Sequence, residues 1–182
     1  MKKTPLVLAA LSLSAAASAA SLPFTASYNG LSQVVAVVNP VGPVLSFETQ
    51  ASGSGSFDLV SYFSADVIDM STGVGSGSNR FVAGNGDELY GSFSVQVIPG
   101  AEAHLIGLTG LATFTGGTGR FSGASGSAVL TGSGVFTSPT SAVAALQYSG
   151  SIGLVPEPSS AWLLLAGLGL ALPWARRRSS AH

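Results

Sequence analysis

Between Ser21 and Val155 the apolar residues recur at every second position, with Gly, Ser and Thr filling the gaps, and no stretch carries an apolar stripe at helical spacing. A period of two sends alternate side chains to opposite faces of an extended strand. Phe57, Leu59, Ser61, Phe63, Ala65 and Val67 share one parity, and Leu89, Gly91, Phe93, Val95 and Val97 share another, so each set is expected to face one way. Further strands are expected near residues 33–38, 44–49, 80–83, 103–108, 111–115, 127–130 and 145–154. Asn85-Gly86 predicts a two-residue hairpin turn of type I′, which needs positive φ at both positions. Many short strands joined by glycine-rich turns give an all-β chain, an antiparallel sandwich or barrel. The Ser/Gly stretches 51–56 and 72–79 read as loose. At 46% hydrophobic and 8% charged residues, the whole is too apolar for a disordered chain.

The two ends break this pattern. Lys2-Lys3, a short apolar core from Leu6 to Leu13 and the small residues Ser14 to Ala20 have the layout of a secretory signal peptide. Ala17-Ser18-Ala19 predicts a cut between Ala19 and Ala20, and Ser18-Ala19-Ala20 fits about as well. Residues 1–19 are therefore expected to form a signal-peptide helix removed by signal peptidase. The apolar core is shorter than the ~20 residues that span hydrocarbon.

At the other end, Pro156-Glu157-Pro158 precedes an apolar run and then Arg176-Arg177-Arg178. Residues 159–175 reach the short end of the ~17–25 range for a transmembrane helix. Trp162 and Trp174 stand at its two ends, where interfacial aromatics belong, and the arginines are expected to stay cytoplasmic. Three adjacent arginines gain nothing at the end of a helix buried on a domain, which argues against that alternative. The order of triplet, apolar run and basic stop resembles the PEP-CTERM signal of Gram-negative envelope proteins, over the last 28 residues, 155–182. The resemblance implies transient membrane insertion, processing by an exosortase, and release or attachment outside the cell, often among exopolysaccharide. The chain then divides into residues 1–19, a β-domain at 20–155 and a sorting segment at 156–182.

The segment between the signals keeps Glu48, Asp58, Asp66, Asp69, Asp87, Glu88 and Glu102 against Arg80 and Arg120. Seven acidic and two basic residues leave a net charge of −5. That balance argues against nucleic acid, against anionic membrane surfaces and, unless a cation bridges the two, against tight binding of an acidic polysaccharide. The absence of cysteine excludes disulfides, thiolate metal sites and a Cys nucleophile.

Phe114-Thr115-Gly116-Gly117-Thr118-Gly119-Arg120-Phe121-Ser122-Gly123-Ala124-Ser125-Gly126 resembles the turn-and-strand motif of the allene oxide cyclase barrels and their bacterial relatives. The glycines permit a turn and backbone kinks, so that Phe121 and Ala124 point inward. The resemblance covers about residues 56–154. It implies a single antiparallel barrel of about eight strands with an apolar lumen, shared with dirigent proteins. It brings no catalytic residue, since none of the plant enzymes' catalytic positions finds a match here.

No chemistry is written plainly in the rest. His104 is the one histidine outside the tail, with no partner visible by spacing. One histidine and no cysteine make a zinc site remote. Asp66, Asp69, Asp87 and Glu88 could offer oxygens to a weak calcium ion, but lack regular loop spacing and read as strand ends and a hairpin tip. No cofactor is expected. Three functions follow in order. The first is a non-enzymatic envelope or matrix protein among exopolysaccharide. The second is a barrel holding a small apolar ligand against Phe57, Phe63, Phe93 and Phe121. The third is a cyclase-type enzyme using Glu102, His104 or Tyr90, which a lumen free of ionisable groups would remove.

Overall fold

The computed structural model describes residues 20–155. Eight strands follow one another around a closed barrel: β1 (Ala20–Asn39), β2 (Val44–Gly55), β3 (Leu59–Asp69), β4 (Val74–Ala83), β5 (Glu88–Pro99), β6 (Leu105–Gly117), β7 (Ser125–Ser138) and β8 (Ser141–Leu154). Every neighbouring pair is antiparallel, and β1 closes the ring on β8, from Ala20 opposite Leu154 to Gln33 opposite Ser141. Closure leaves no unpaired edge, which removes the aggregation hazard of a glycine-rich sheet. The expected signal-peptide and transmembrane helices lie outside the described residues. Among the described residues no helix is long and apolar enough to cross a membrane.

The strands are longer than the alternation alone suggests. The two stretches read as loose are wall: residues 51–55 finish β2, and residues 74–79 begin β4. Their serines face water and their glycines let neighbouring strands approach closely. The expected strands 103–108 and 111–115 are one strand, β6, starting at Leu105.

The parity expected around Phe57 to Val67 holds only at its start. Leu59 faces the core, but the register slips between Leu59 and Ser61. Past that bulge Tyr62, Ser64, Asp66 and Ile68 point inward, while Phe63, Ala65 and Val67 turn out. One extra residue exchanges the two faces of a strand. The Leu89 to Val97 parity has no bulge above Gly91 and stands as read.

The hairpin after β4 also differs. Gly86 N–H bonds the Ala83 carbonyl at 2.9 Å, and Ala83 N–H bonds the Asp87 carbonyl at 2.8 Å. Gly86 has φ +89°, but Asn85 is not left-handed. The loop is thus a three-residue connection ending in a left-handed glycine, not a type I′ turn.

The barrel has two unlike ends. The closed end holds the start of β1, the end of β8 and three crossing segments: 56–58, 84–87 and 118–124. Phe121 and Ala124 are buried there, as the glycine-rich motif implied. Above them Phe81 sits among Phe24, Tyr28, Tyr62, Phe114 and Tyr148, with ring centroids 5.2–6.1 Å away. Edge-on and tilted contacts of this kind add to the burial of large apolar area. The open end carries the short connections at 40–43, 70–73, 100–104 and 139–140.

Candidate functional site

Above the aromatic layer the lumen is not filled. A cavity of about 70 Å³ runs up from Tyr62 between Phe93, Val95, Leu130, Ala144 and Leu146 toward Met70 and Phe136. The loop bearing Ala103 and His104 borders the same rim, sharing a groove with Val34, Leu45 and Phe136. Of the four phenylalanines expected to line a lumen, only Phe93 does. Phe121 is core at the closed end, Phe57 packs edge-on against it at 6.1 Å, and Phe63 faces outward after the bulge.

Polar side chains gather at the cavity's foot. Ser64 donates a hydrogen bond to Asp66 Oδ1 at 3.2 Å, Thr49 to Ser32 at 3.0 Å, and the Tyr148 hydroxyl to that of Tyr62 at 3.0 Å. Asp66 is 8% exposed and Asn79 4% exposed. The Asn79 amide lies against the Tyr62 and Tyr148 hydroxyls, short of a hydrogen bond of good geometry, and is not on the cavity lining. Asn79 stands directly across from Ser64, and Gly77 directly across from Asp66. The glycines make the room. A Cβ at Gly77 would meet Asp66 Cβ at 2.6 Å, and one at Gly91 would meet Asn79 Oδ1 at 2.5 Å.

Burial without a counter-charge decides the electrostatics. It pushes the Asp66 carboxyl up to about 6, against the pull of the Ser64 hydrogen bond. Burial likewise pushes the Tyr62 hydroxyl up to about 12 and raises Tyr28 and Tyr148. Among the described residues no cationic side chain faces the lumen: Arg80 lies on the outer wall and Arg120 at the closed end.

The other acidic residues do not converge. Asp87 pairs with Arg120 at 3.0 Å, Glu88 with Arg80 at 2.6 Å, and Asp69 accepts from Ser71 at the end of β3. Among the described residues no cluster of three acidic or histidine side chains could hold a metal ion. Glu102 and His104 sit 3.4 Å apart on the exposed 100–104 loop, and Tyr90 faces outward. None of the three enters the lumen. Ionisable groups are nevertheless inside it, Asp66 above all, which the sequence reading assigned to a strand end. The missed signals were the bulge that turned Asp66 inward and the inward glycines facing it.

A second polar arrangement lies on the outer wall. Gln50, Phe63, Arg80 and Tyr90 are consecutive cross-strand partners on β2, β3, β4 and β5. The Arg80 guanidinium lies 4.5 Å from the Phe63 ring centre. It donates to one Glu88 oxygen at 2.6 Å, and the Tyr90 hydroxyl donates to the other at 2.5 Å. Those two bonds, Tyr90 first, hold the Glu88 carboxyl below its usual range. Glu48, Ser78 and Thr115 border the same groove. By contrast β6, β7, β8 and β1 carry no charged residue.

The candidate sorting residues, Pro156, Glu157, Pro158, Trp162, Trp174, Arg176, Arg177 and Arg178, lie outside the described residues, as does Ala19; Ala20 begins β1. Strand β8 ends at Leu154, at the closed end. No curated protein and no solved structure matches the chain. One family does: the PEP-CTERM protein-sorting motif matches residues 154–179. The chain therefore couples an eight-stranded barrel to a PEP-CTERM sorting motif, which implies export and processing by an exosortase-type system.

Proposed function

We propose that this is a non-enzymatic cell-envelope protein, brought to the cell surface by its tail and retained there among neutral extracellular polysaccharide. The observation that carries the reading is the outer row Gln50, Phe63, Arg80, Tyr90 on a barrel that hangs from a sorting tail. Aromatic faces suit the C–H faces of sugar rings. Glutamine, guanidinium and carboxylate groups suit their hydroxyls. The Arg80–Glu88–Tyr90 network holds these groups in place before a glycan arrives, which lowers the ordering cost of binding. The net charge of −5 between the signals, from seven acidic and two basic residues, disfavours an acidic polymer. A non-enzymatic role is supported by the placement of Glu102, His104 and Tyr90, the three candidate acid–base residues, outside the lumen.

The test has two arms. A chain stopped after Val155 should fold but leave the cell surface, and its retention there would count against the reading. Full-length protein should co-sediment with the organism's neutral exopolysaccharide, and Tyr90→Ala with Arg80→Ala should lower the bound fraction severalfold. Undiminished binding by that double variant would remove the outer row from the account.

A second reading, a barrel that takes a small ligand into its lumen, is favoured by one observation: the cavity beneath Met70 and Phe136.

A further inference from the structure

We propose that the lumen is a binding site for a small organic ammonium ion, its charged head on Asp66 and the Ser64 hydroxyl and its apolar body along Phe93, Val95, Leu130 and Leu146. This rests on the second reading above and names the ligand class for it.

Two independent features carry the inference. The first is a carboxyl group nine-tenths buried, lining a cavity, with no cation facing it among the described residues. Such a group is costly in its charged form until a counter-charge arrives. The second is the make-up of that cavity: the Ser64, Thr49 and Tyr62 side chains line it together with Asp66, and the rest of its wall is largely apolar. A primary ammonium has three donors, enough for an Asp66 oxygen and the Ser64 and Tyr62 hydroxyl oxygens on the same lining. The wall above is apolar, so a neutral chain should follow the head. At about 70 Å³ the cavity offers space for about five water-sized positions, which limits the body to a few carbons.

The groups facing Asp66 set the sign of the pH response. On its own strand they are Ser64 and Tyr62; from β2, Phe47 and Thr49; from β4, Gly77 and Asn79; from β8, Tyr148 beside Tyr62. Of these only the tyrosines titrate, and both are pushed far above neutrality. At the rim, His104 and Glu102 are exposed and turned to each other. Asp66 is therefore the group that gates binding between pH 5 and 8.

The experiment uses the full chain in detergent, with n-butylammonium, 1-butanol and butanoate as probes and thermal unfolding by circular dichroism as the readout. Butylammonium at pH 7.5 should raise Tm by several degrees as a ligand of the folded state does, with butanol and butanoate giving less. Its affinity should fall about tenfold at pH 5, where most Asp66 is protonated while the amine stays charged. Asp66→Asn should abolish the preference for the amine. If butanol matches butylammonium, the ammonium assignment fails while a lumenal site for apolar molecules stands. If no probe shifts Tm at any concentration, the lumenal reading falls with it. Should Asp66→Asn not fold, the pH series on the wild-type chain decides alone: an affinity unchanged between pH 5 and 7.5 overturns the proposal.

Discussion

The closed and open ends of this barrel solve the same problem differently. Both must fill a lumen inside eight strands. The closed end does so with five aromatic rings around Phe81 and with crossing segments tied by charge. Arg120 holds Asp87 at 3.0 Å and reaches the Phe57 carbonyl at 3.4 Å, while Gly84 N–H bonds the Asp58 carbonyl at 3.0 Å. The open end uses smaller residues, leaves a cavity, and buries the Asp66 carboxyl beside it without a counter-charge among the described residues. Such an arrangement sacrifices stability, which is the usual condition of a site rather than of a scaffold. The contrast teaches where stability and where binding are to be sought.

The comparison can be broken most forcefully at Phe81. Phe81→Ala removes the ring that the other aromatics surround and should cost about 3–5 kcal/mol in denaturant unfolding. A loss under about 1 kcal/mol would show that the closed end is not the stabilising half.

Asp66→Asn tests the other half, with the opposite sign. The folded-state value of Asp66 is raised to about 6 from an ordinary 3.8. A raised carboxyl contributes stability in full below its unfolded value and loses it as pH rises from about 4 through about 6. Above pH 6 the charged group is a burden, so Asp66→Asn should stabilise the chain by about 1–3 kcal/mol at pH 7.5. At pH 4 the difference should vanish. Below pH 4 the half-buried Asp69, Asp87 and Glu88, whose values are lowered, act in the reverse sense. Equal effects of the variant at pH 4 and 7.5 would mean that Asp66 is not buried as a charge.

The smallest effect sharpens the account of the closed end. Phe57 and Asp58 have φ of +61° and +59°, a region that non-glycine residues occupy at a cost. Asp58→Gly should relieve part of that strain and raise stability by about 0.5–1 kcal/mol. A loss instead would mean that the Asp58 side chain, packed beside Gly84, outweighs the strain.

Much of this molecule could be read before folding. Alternation marked the walls, because the pleat sends neighbouring residues to opposite sides. Both glycine-rich signals were legible as well: Phe121 and Ala124 turned inward, and a left-handed glycine closed the loop after β4, though by a different turn. Ser/Gly stretches misled, since low complexity resembles a loop until neighbouring strands claim its backbone.

The chain by itself determined an all-β architecture and an address. Period-two patterning and a triplet, apolar run and basic cluster are local properties, written in contiguous residues. Tertiary structure alone decided what the lumen holds. A single register slip beside Leu59 set Asp66 inside and Phe63 outside, and ring closure brought Asn79, Tyr62 and Tyr148 together from three strands. Such choices depend on how strands pair at a distance, and no local pattern encodes them.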